Sequence, residues 1–327
     1  MGINGLWFIL IGIILAAYLY QVAHQFGVGV LVGGIGADGE GQVQVIRTVG
    51  PVLGLEEIWL LAAGVAVWHA FPGWWQLLAA AFGPILWVIA GLLLVRAVAV
   101  NIMRNSSPGP LFTALKYVLF LCSLLLPALL GLVLANLVTG LPIDGQSQYS
   151  GGLADLLSVP ALTAGLFAAA FCVYHGAVYL TSKLDEPLWR HAYQRAFLWG
   201  RIALVLAGVA TVTAVYGTDI FARFWPASLF LMSLLSIVLS SYLLGQSYNR
   251  RAFSCNGATI LIGVAALWAA LYPRLTVSSL DPAWSLTLDN VAVNPGNRVI
   301  GLIVLALLLA GLAAWKRRLA QGGGLRP

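Results

Sequence analysis

Long apolar runs separated by short polar segments make up most of the chain, and their lengths match the thickness of a bilayer. A transmembrane helix needs about 20 mostly apolar residues. Nine runs meet this requirement: 5–34, 51–71, 74–103, 111–139, 157–182, 192–217, 224–248, 252–272 and 299–319. We therefore predict an all-α polytopic membrane protein with nine transmembrane helices. No small-residue cleavage site follows a short first apolar stretch, so we expect the first helix to be a retained anchor.

The composition excludes the soluble classes of protein. Of the 327 residues, 61% are hydrophobic and only 9% are charged, whereas about a quarter of the residues in a soluble domain are charged. So few charges could not cover the surface of a soluble globule, which excludes a soluble enzyme, a nucleic-acid-binding protein and a disordered chain. The three cysteines, Cys122, Cys172 and Cys255, lie inside apolar runs. We interpret them as buried apolar residues and not as a disulfide framework.

The positions of lysine and arginine orient the predicted helices. With the N-terminus outside, the inside segments and the adjoining helix ends hold fourteen of the 17 basic residues. The outside segments hold only Arg223, Arg274 and Arg298. The positive-inside rule therefore predicts an external N-terminus and a cytoplasmic C-terminus.

Two adjacent carboxylates, Glu56 and Glu57, lie near the predicted cytoplasmic end of the second run. A charge at the bilayer centre costs about 2.5–3.5 kcal/mol on insertion scales, so this position needs a reason. One interpretation is a point of proton uptake from the cytoplasm. The other is a hydrated pair at the membrane surface, or a residue at the N-terminus of its helix, where negative charge is favoured.

One arginine, Arg96, lies late in the third run. Its long side chain could snorkel to the cytoplasmic face. Alternatively, it could form a buried ion pair with Glu56 or Glu57. The segment Phe71-Pro72-Gly73-Trp74 predicts a tight turn between the second and third helices. These helices would then be antiparallel neighbours, with Arg96 and the glutamates at one membrane level.

The four histidines offer no ligand pair on one helix. Haem ligation in a bundle would need His or Met side chains directed inward from facing helices. His24 and His175 are the deepest in their runs. We interpret them as hydrogen-bonded structural residues.

A series of short motifs extends through nearly the whole chain. It begins with Phe26-Gly27-Val28-Gly29, Gly50-Pro51-Val52 and Ala70-Phe71-Pro72-Gly73-Trp74, and it continues to His175-Gly176-Ala177-Val178-Tyr179-Leu180 and Trp284-Ser285-Leu286-Thr287-Leu288-Asp289-Asn290. In their order and spacing these motifs resemble subunit II of the cytochrome bd-type quinol oxidases.

The resemblance implies a fold, a partner and an activity. The fold is two four-helix bundles related by a pseudo-twofold axis, plus one peripheral helix, in a bacterial or archaeal plasma membrane. The partner is subunit I, which carries the b-type and d-type haems and the quinol site. The complex oxidises quinol, reduces O2 to water, and builds a proton-motive force by taking protons from the inside.

For this chain, the resemblance implies a non-haem subunit that scaffolds subunit I and shapes a proton path from the cytoplasm. We expect it to hold no catalytic residue, bound cofactor or metal of its own. Some members of the family hold a structural quinone or lipid, and a small single-helix subunit is a further expected partner. Membrane lipid is an expected contact, and nucleic acid is not.

The division of the chain follows from the span count and the resemblance. We predict a first four-helix bundle at residues 1–139, an external loop at 140–156 and a second bundle at 157–272. A second external loop follows at 273–298, and a last helix with a basic tail occupies 299–327. Both external loops are short for folded domains.

The chain departs from the family pattern at residues that would carry protons. The first-helix motif of the family has a phenylalanine and an aspartate where this chain has His24 and Gln25. The aspartate that serves the proton path in the second helix is replaced by Gly54, while Glu57 and Arg96 match family residues. Either Glu56, with a water at Gly54, replaces the lost aspartate, or this path is absent and subunit I supplies its own.

The candidate site residues are therefore of two kinds. Proton-path candidates are Glu56, Glu57 and Arg96, whereas structural or interface candidates are His24, Gln25, Gly54 and Trp59. Two other functions are consistent with the sequence: a stand-alone secondary transporter, and a subunit of the same fold that now serves another redox partner.

Overall fold

The computed structural model describes residues 2–36, 39–49, 56–291 and 301. Nine α-helices lie in this part of the chain: α1 (Ile3–Ile35), α2 (Gly39–Arg47), α3 (Glu57–Ala70), α4 (Pro72–Asn105), α5 (Pro110–Thr139), α6 (Val159–Leu180), α7 (Leu188–Gly217), α8 (Phe224–Gly245) and α9 (Asn249–Leu271). All except α2 and α3 are long and apolar enough to span a membrane, which makes seven candidate spans. The protein is thus a helical, multi-pass membrane protein.

The second predicted span differs most from its helix. The prediction was 51–71, whereas α3 has 14 residues and is about 21 Å long at 1.5 Å per residue. That is shorter than the roughly 30 Å hydrocarbon core of a bilayer. Residues 51–55 and the predicted ninth span at 299–319 lie outside the described residues. A total of nine spans therefore stays a prediction.

The short helix α2 was not predicted. It has nine residues, and it buries Val43, Val45 and Ile46 between polar residues such as Gln42 and Gln44. Such an amphipathic helix has no apolar run, so a search for spans passes over it. It packs against α1 and α4.

Prolines and small residues set the helix ends. Pro72 starts α4 directly after Phe71, so one residue separates α3 from α4 and the predicted tight turn is confirmed. Pro110 starts α5 in the same way, which suits a ring that fixes φ and has no N–H to donate. At the start of α6, the Ser158 hydroxyl accepts a hydrogen bond from the Ala161 N–H, as an N-cap should.

The helix α1 is at the centre of the packing. It contacts α3, α5, α6 and α9, and its closest neighbour is α6. A Cβ atom added at Gly176 of α6 would lie 2.6 Å from the backbone of Gly27 in α1. Only glycine at both positions allows the two backbones to come this close, as in other small-residue contacts between membrane helices.

One end of the bundle is basic. At this end, which we call the basic end, α1, α4, α6 and α8 finish and α3, α5, α7 and α9 begin. It carries basic residues that include Arg47, Arg104, Lys183, Arg250 and Arg251. The Arg104 side chain ties α4 to the segment after α2 by donating to the Val49 carbonyl.

The loops at the other end pack together into a loop cover, formed by residues 140–158 and 272–291. Strand β1 (Arg274–Thr276) pairs antiparallel with β2 (Leu286–Thr287), and the Leu141 N–H donates to the Val277 carbonyl at 2.9 Å. Leu141 and Leu286 of the loop cover are fully buried. The all-α prediction missed this strand pair because two or three residues are too few to show an alternating pattern.

A buried hydrogen bond fastens the loop cover to the helices. The Trp74 indole N–H donates to the Thr276 hydroxyl at 2.8 Å. We expect Trp74→Phe to keep most of the ring packing, lose this donor, and cost about 1–3 kcal/mol of stability. The test is thermal unfolding of the purified protein, with Trp225→Phe as the control, since Trp225 is exposed. Equal unfolding temperatures for the two variants would contradict this role of Trp74.

Candidate functional site

The side chains of Gln25, Glu57 and Arg96 form a polar cluster between α1, α3 and α4, which we call the inner polar cluster. Arg96 is 1% exposed, and its Nη1 lies 4.0 Å from Glu57 Oε1. Its Nη2 donates to Gln25 Oε1 at 3.5 Å, and its guanidinium lies 4.9 Å from the centre of the Phe26 ring. Arg96 is therefore buried and paired with a glutamate, and it does not snorkel.

The direction of the side chains explains how this pair forms. Measured from the turn at Phe71, Glu57 lies about 21 Å along α3 and Arg96 about 37 Å along α4. Side chains on a helix lean towards its N-terminus. Arg96 therefore reaches back towards the turn, whereas Glu57 reaches away from it, and the two charged groups meet between these levels.

Several buried polar atoms near this cluster have no hydrogen-bond partner among the described residues. They are Arg96 Nε and Nη1, Glu57 Oε2 and the hydroxyl of Tyr18, which interacts electrostatically with both charged residues. Each such atom costs about 1–3 kcal/mol when it stays unpaired. Internal water commonly satisfies groups of this kind. A carboxylate, a guanidinium and a hydroxyl around water can hold and pass protons.

The other candidates of the second helix have simpler surroundings. Glu57 is the first residue of α3, where a negative charge is favourable. The interpretation of this acid as a residue that stabilises the N-terminus of its helix therefore also applies. Glu56 occupies the preceding N-cap position without a side-chain capping bond. Trp59 is partly buried and packs against the core. Gly54 lies outside the described residues.

His24 of α1 and His175 of α6 form a second cluster that sequence reasoning missed. Their ring centres are 6.2 Å apart, with ring planes at 85°. His175 is fully buried, and its ring is stacked with Phe171 at 6.0 Å and with Phe253 at 4.5 Å. Within the described part of the chain, His175 Nδ1 and Nε2 and His24 Nδ1 have no hydrogen-bond partner. Their expected hydrogen bonds are therefore not to other side chains or to the backbone of the described residues, and the expectation that these histidines are hydrogen-bonded stays a prediction.

The histidine pair does not fit a haem. Tyr179 lies 4.6 Å from His24 and Phe253 lies 6.0 Å from it, so aromatic rings fill the space that a porphyrin bound to His24 would need. A metal ion would need more ligands than two imidazoles. No group of three His, Cys, Asp or Glu side chains able to hold a metal lies within the described residues.

An apolar cavity of about 240 Å³ opens between α1 and helices α5 to α9. Its walls are almost entirely hydrocarbon and include Leu19, Phe26, Phe171, Phe230 and Leu267. A space of this kind suits an apolar chain such as an acyl or isoprenoid group, because hydrocarbon walls offer water no hydrogen bonds.

Comparisons with known proteins agree along nearly the whole chain. Cytochrome bd ubiquinol oxidase subunit 2 of Bacillus subtilis is 26% identical over 311 residues, which cover 94% of this chain and 92% of that protein. Cytochrome bd-I ubiquinol oxidase subunit 2 of Escherichia coli is 23% identical over 334 aligned positions, which cover 97% of this chain and 86% of that protein.

The fold also matches a solved structure, that of the bd oxidase from Geobacillus thermodenitrificans. The TM-score is 0.69 at 20% identity, and the match covers 99% of this chain and 100% of that chain. The sequence model of the family described as cytochrome bd terminal oxidase subunit II matches residues 3–315. Because this match extends over nearly the full length, the chain belongs to the cytochrome bd terminal oxidase subunit II family and is a subunit of a membrane oxidoreductase complex.

Proposed function

We propose that this chain is the non-haem subunit II of a cytochrome bd-type quinol:O2 oxidoreductase, where it scaffolds a haem-bearing subunit I in a bacterial or archaeal plasma membrane. The family match over residues 3–315 carries the proposal. The b-type and d-type haems of subunit I supply the electron transfer and the reduction of O2 to water. The residues of this chain support that chemistry from outside the haem sites.

The proposed architecture is nine spans in two four-helix bundles with a pseudo-twofold relation, divided as predicted from the sequence. The proposed orientation has the basic end in the cytoplasm and the N-terminus outside. Two observations support this orientation. The described basic residues concentrate at one end. At the other end the charge of Arg274 is paired with the carboxylate of Asp219, to which it donates at 2.6 Å.

Broad apolar faces support the scaffold role. The helices α4, α7 and α8 are the least buried of the seven candidate spans, and Trp87 on α4 is 80% exposed within this chain. Such faces need lipid or another membrane subunit to cover them. We assign them to subunit I, a small single-helix subunit and membrane lipid. The apolar cavity is the proposed place for a structural quinone or lipid.

The inner polar cluster is our proposed contribution to a proton path from the cytoplasm. The Glu57 side chain is 18% exposed, whereas that of its partner Arg96 is almost completely buried. The cluster therefore extends from a partly exposed carboxylate to a buried guanidinium inside the protein. Glu56, the preceding residue, is the proposed point of uptake. In this arrangement Gln25 holds the Arg96 guanidinium where the family motif has a carboxylate.

Replacing Glu57 with glutamine tests this path. Glu57→Gln keeps the size of the side chain but removes its capacity to exchange a proton. We expect quinol oxidation by the purified complex to slow by about ten-fold or more, with an unchanged haem content. Glu40→Gln is the matched control, because Glu40 is an exposed acid in α2. Equal rates for Glu57→Gln and wild type would favour the alternative in which subunit I supplies its own path.

A further inference from the structure

We propose that His24 and His175 form a water-bridged imidazole pair that relays protons from the basic end into the helix bundle. This inference rests on the proposed function and adds a second relay, separate from the inner polar cluster. It follows from where the two rings lie, which of their nitrogen atoms lack partners, and what surrounds them.

The first step is the relative position of the rings. His175 and Phe253 are stacked at 4.5 Å with nearly parallel planes. His24 lies 6.2 Å from His175 and 6.0 Å from Phe253. His24 is thus almost equally far from both stacked rings, and its plane is nearly perpendicular to theirs, at 85° to His175 and 82° to Phe253. His24 is therefore at the edge of His175, in the region where the ring nitrogen atoms form hydrogen bonds.

The second step is the missing partners. The rings of Phe171 and Phe253 are both stacked with His175, and both nitrogen atoms of His175 lack a partner among the described residues. Bulk water does not reach a fully buried side chain inside a membrane protein, where each unpaired polar group is costly. The Nδ1 atom of His24 is buried and unpartnered as well. The edge of His175 therefore needs a small polar occupant.

The distance between the rings identifies this occupant as water. Two imidazoles joined by a direct N–H···N bond of about 2.9 Å have ring centres at most about 5.2 Å apart. The observed 6.2 Å is too long for a direct bond. One water with two hydrogen bonds of about 2.8 Å spans this separation. The geometry fits a His24–water–His175 bridge.

The third step is access from the basic end. His24 is partly exposed, whereas His175 is completely buried, so His24 is the outer member of the pair. Tyr179 packs on His24 and donates its hydroxyl to the Thr48 carbonyl at 3.0 Å. The amine of Lys183 lies 5.7 Å from the Tyr179 ring. These contacts place the pair directly behind the loops of the basic end.

The surroundings suit a relay between neutral imidazoles. The charged groups that act on His24 are Arg96 from α4 and Lys183 from the segment after α6, and its titratable neighbours are His175 and Tyr179. From α9, Phe253 contributes only a ring. A neutral imidazole has one N–H donor and one acceptor nitrogen. A proton taken up at one nitrogen of His24 releases the proton on the other to the bridging water, which passes one of its protons to His175.

Two measurements on the purified complex test this relay. A cryo-EM map of the wild-type complex, at a resolution that shows ordered water, should contain density within hydrogen-bond distance of His24 Nδ1 and a His175 nitrogen. In addition, the His175→Phe variant should take up protons during turnover about ten-fold more slowly than wild type. Phenylalanine fits this place because it can stack with Phe171 and Phe253. His69→Gln is the control, since His69 packs on Trp7 in a different cluster.

The outcomes separate the relay from the proposed function. If the wild-type complex holds haem and oxidises quinol, but His175→Phe takes up protons at the wild-type rate, the relay is wrong and the function stands. A dry gap between the two rings also overturns the relay, even if His175→Phe fails to assemble. If the wild-type complex holds no haem, the proposed function itself fails.

Discussion

Replacing Gly176 with alanine will separate α1 from α6 and lower the stability of the protein by about 2–3 kcal/mol. Replacing it with leucine will prevent the folded protein from accumulating in the membrane. The added Cβ would lie 2.6 Å from the backbone atoms of Gly27 and Val28. Backbone atoms cannot turn aside as a flexible side chain can, so a whole helix must move. The readouts are the yield of monodisperse protein and its thermal unfolding midpoint.

The matched control for this prediction is a glycine in open space. At Gly208 in α7, an added Cβ would meet no atom of this chain within 4 Å. Alanine is a better helix former than glycine by about 1 kcal/mol, so Gly208→Ala should be neutral or slightly stabilising. If Gly176→Ala unfolds at the same temperature as Gly208→Ala, the close contact between α1 and α6 is wrong.

Replacing Arg96 with methionine should also lower the stability of the protein strongly. The change leaves the Glu57 carboxylate without the cation that lies 4.0 Å away. Breaking one side of a buried ion pair costs about 3–5 kcal/mol, whereas replacing both partners with apolar residues is often nearly neutral. We therefore expect Arg96→Met to unfold at a much lower temperature, and the double variant Arg96→Met/Glu57→Met to regain most of the loss.

A second arginine in a spanning helix provides the comparison. Arg201 lies in α7 and is exposed, so Arg201→Met should change the stability by no more than about 0.5 kcal/mol. Thermal unfolding of the wild type, Arg96→Met, Glu57→Met and the double variant gives the coupling between Arg96 and Glu57. Equal stability of the two single arginine variants, or a double variant no better than Arg96→Met, would show that the ion pair does not hold these helices.

The sequence predicted those parts of the structure that depend on local pattern. Apolar runs of sufficient length predicted all seven candidate spans. The single-residue connection at Phe71 made α3 and α4 neighbours, so the pairing of Arg96 with a glutamate could be stated as one of two alternatives. The part played by Gln25 could not be predicted, because it depends on how α1 packs against α4.

The histidine pair shows the limit of this reasoning. His24 and His175 are on α1 and α6, and no spacing along the chain relates them. They meet because Gly27 and Gly176 bring the two backbones together, a contact that only the folded arrangement reveals. The loop cover is similar, since the pairing of β1 with β2 depends on long-range contacts and not on a strand pattern.

The central claim, that this chain is the scaffold of a haem-bearing oxidase, is tested most directly by purifying the complex from membranes through a tag on this chain. The measurement is a reduced-minus-oxidised visible spectrum. The proposed function predicts a co-purified subunit I with bands of both b-type and d-type haem. A haem protein without the d-type band would indicate a subunit that serves another redox partner. A stable preparation of this chain alone, free of haem, would contradict the claim and favour a stand-alone transporter.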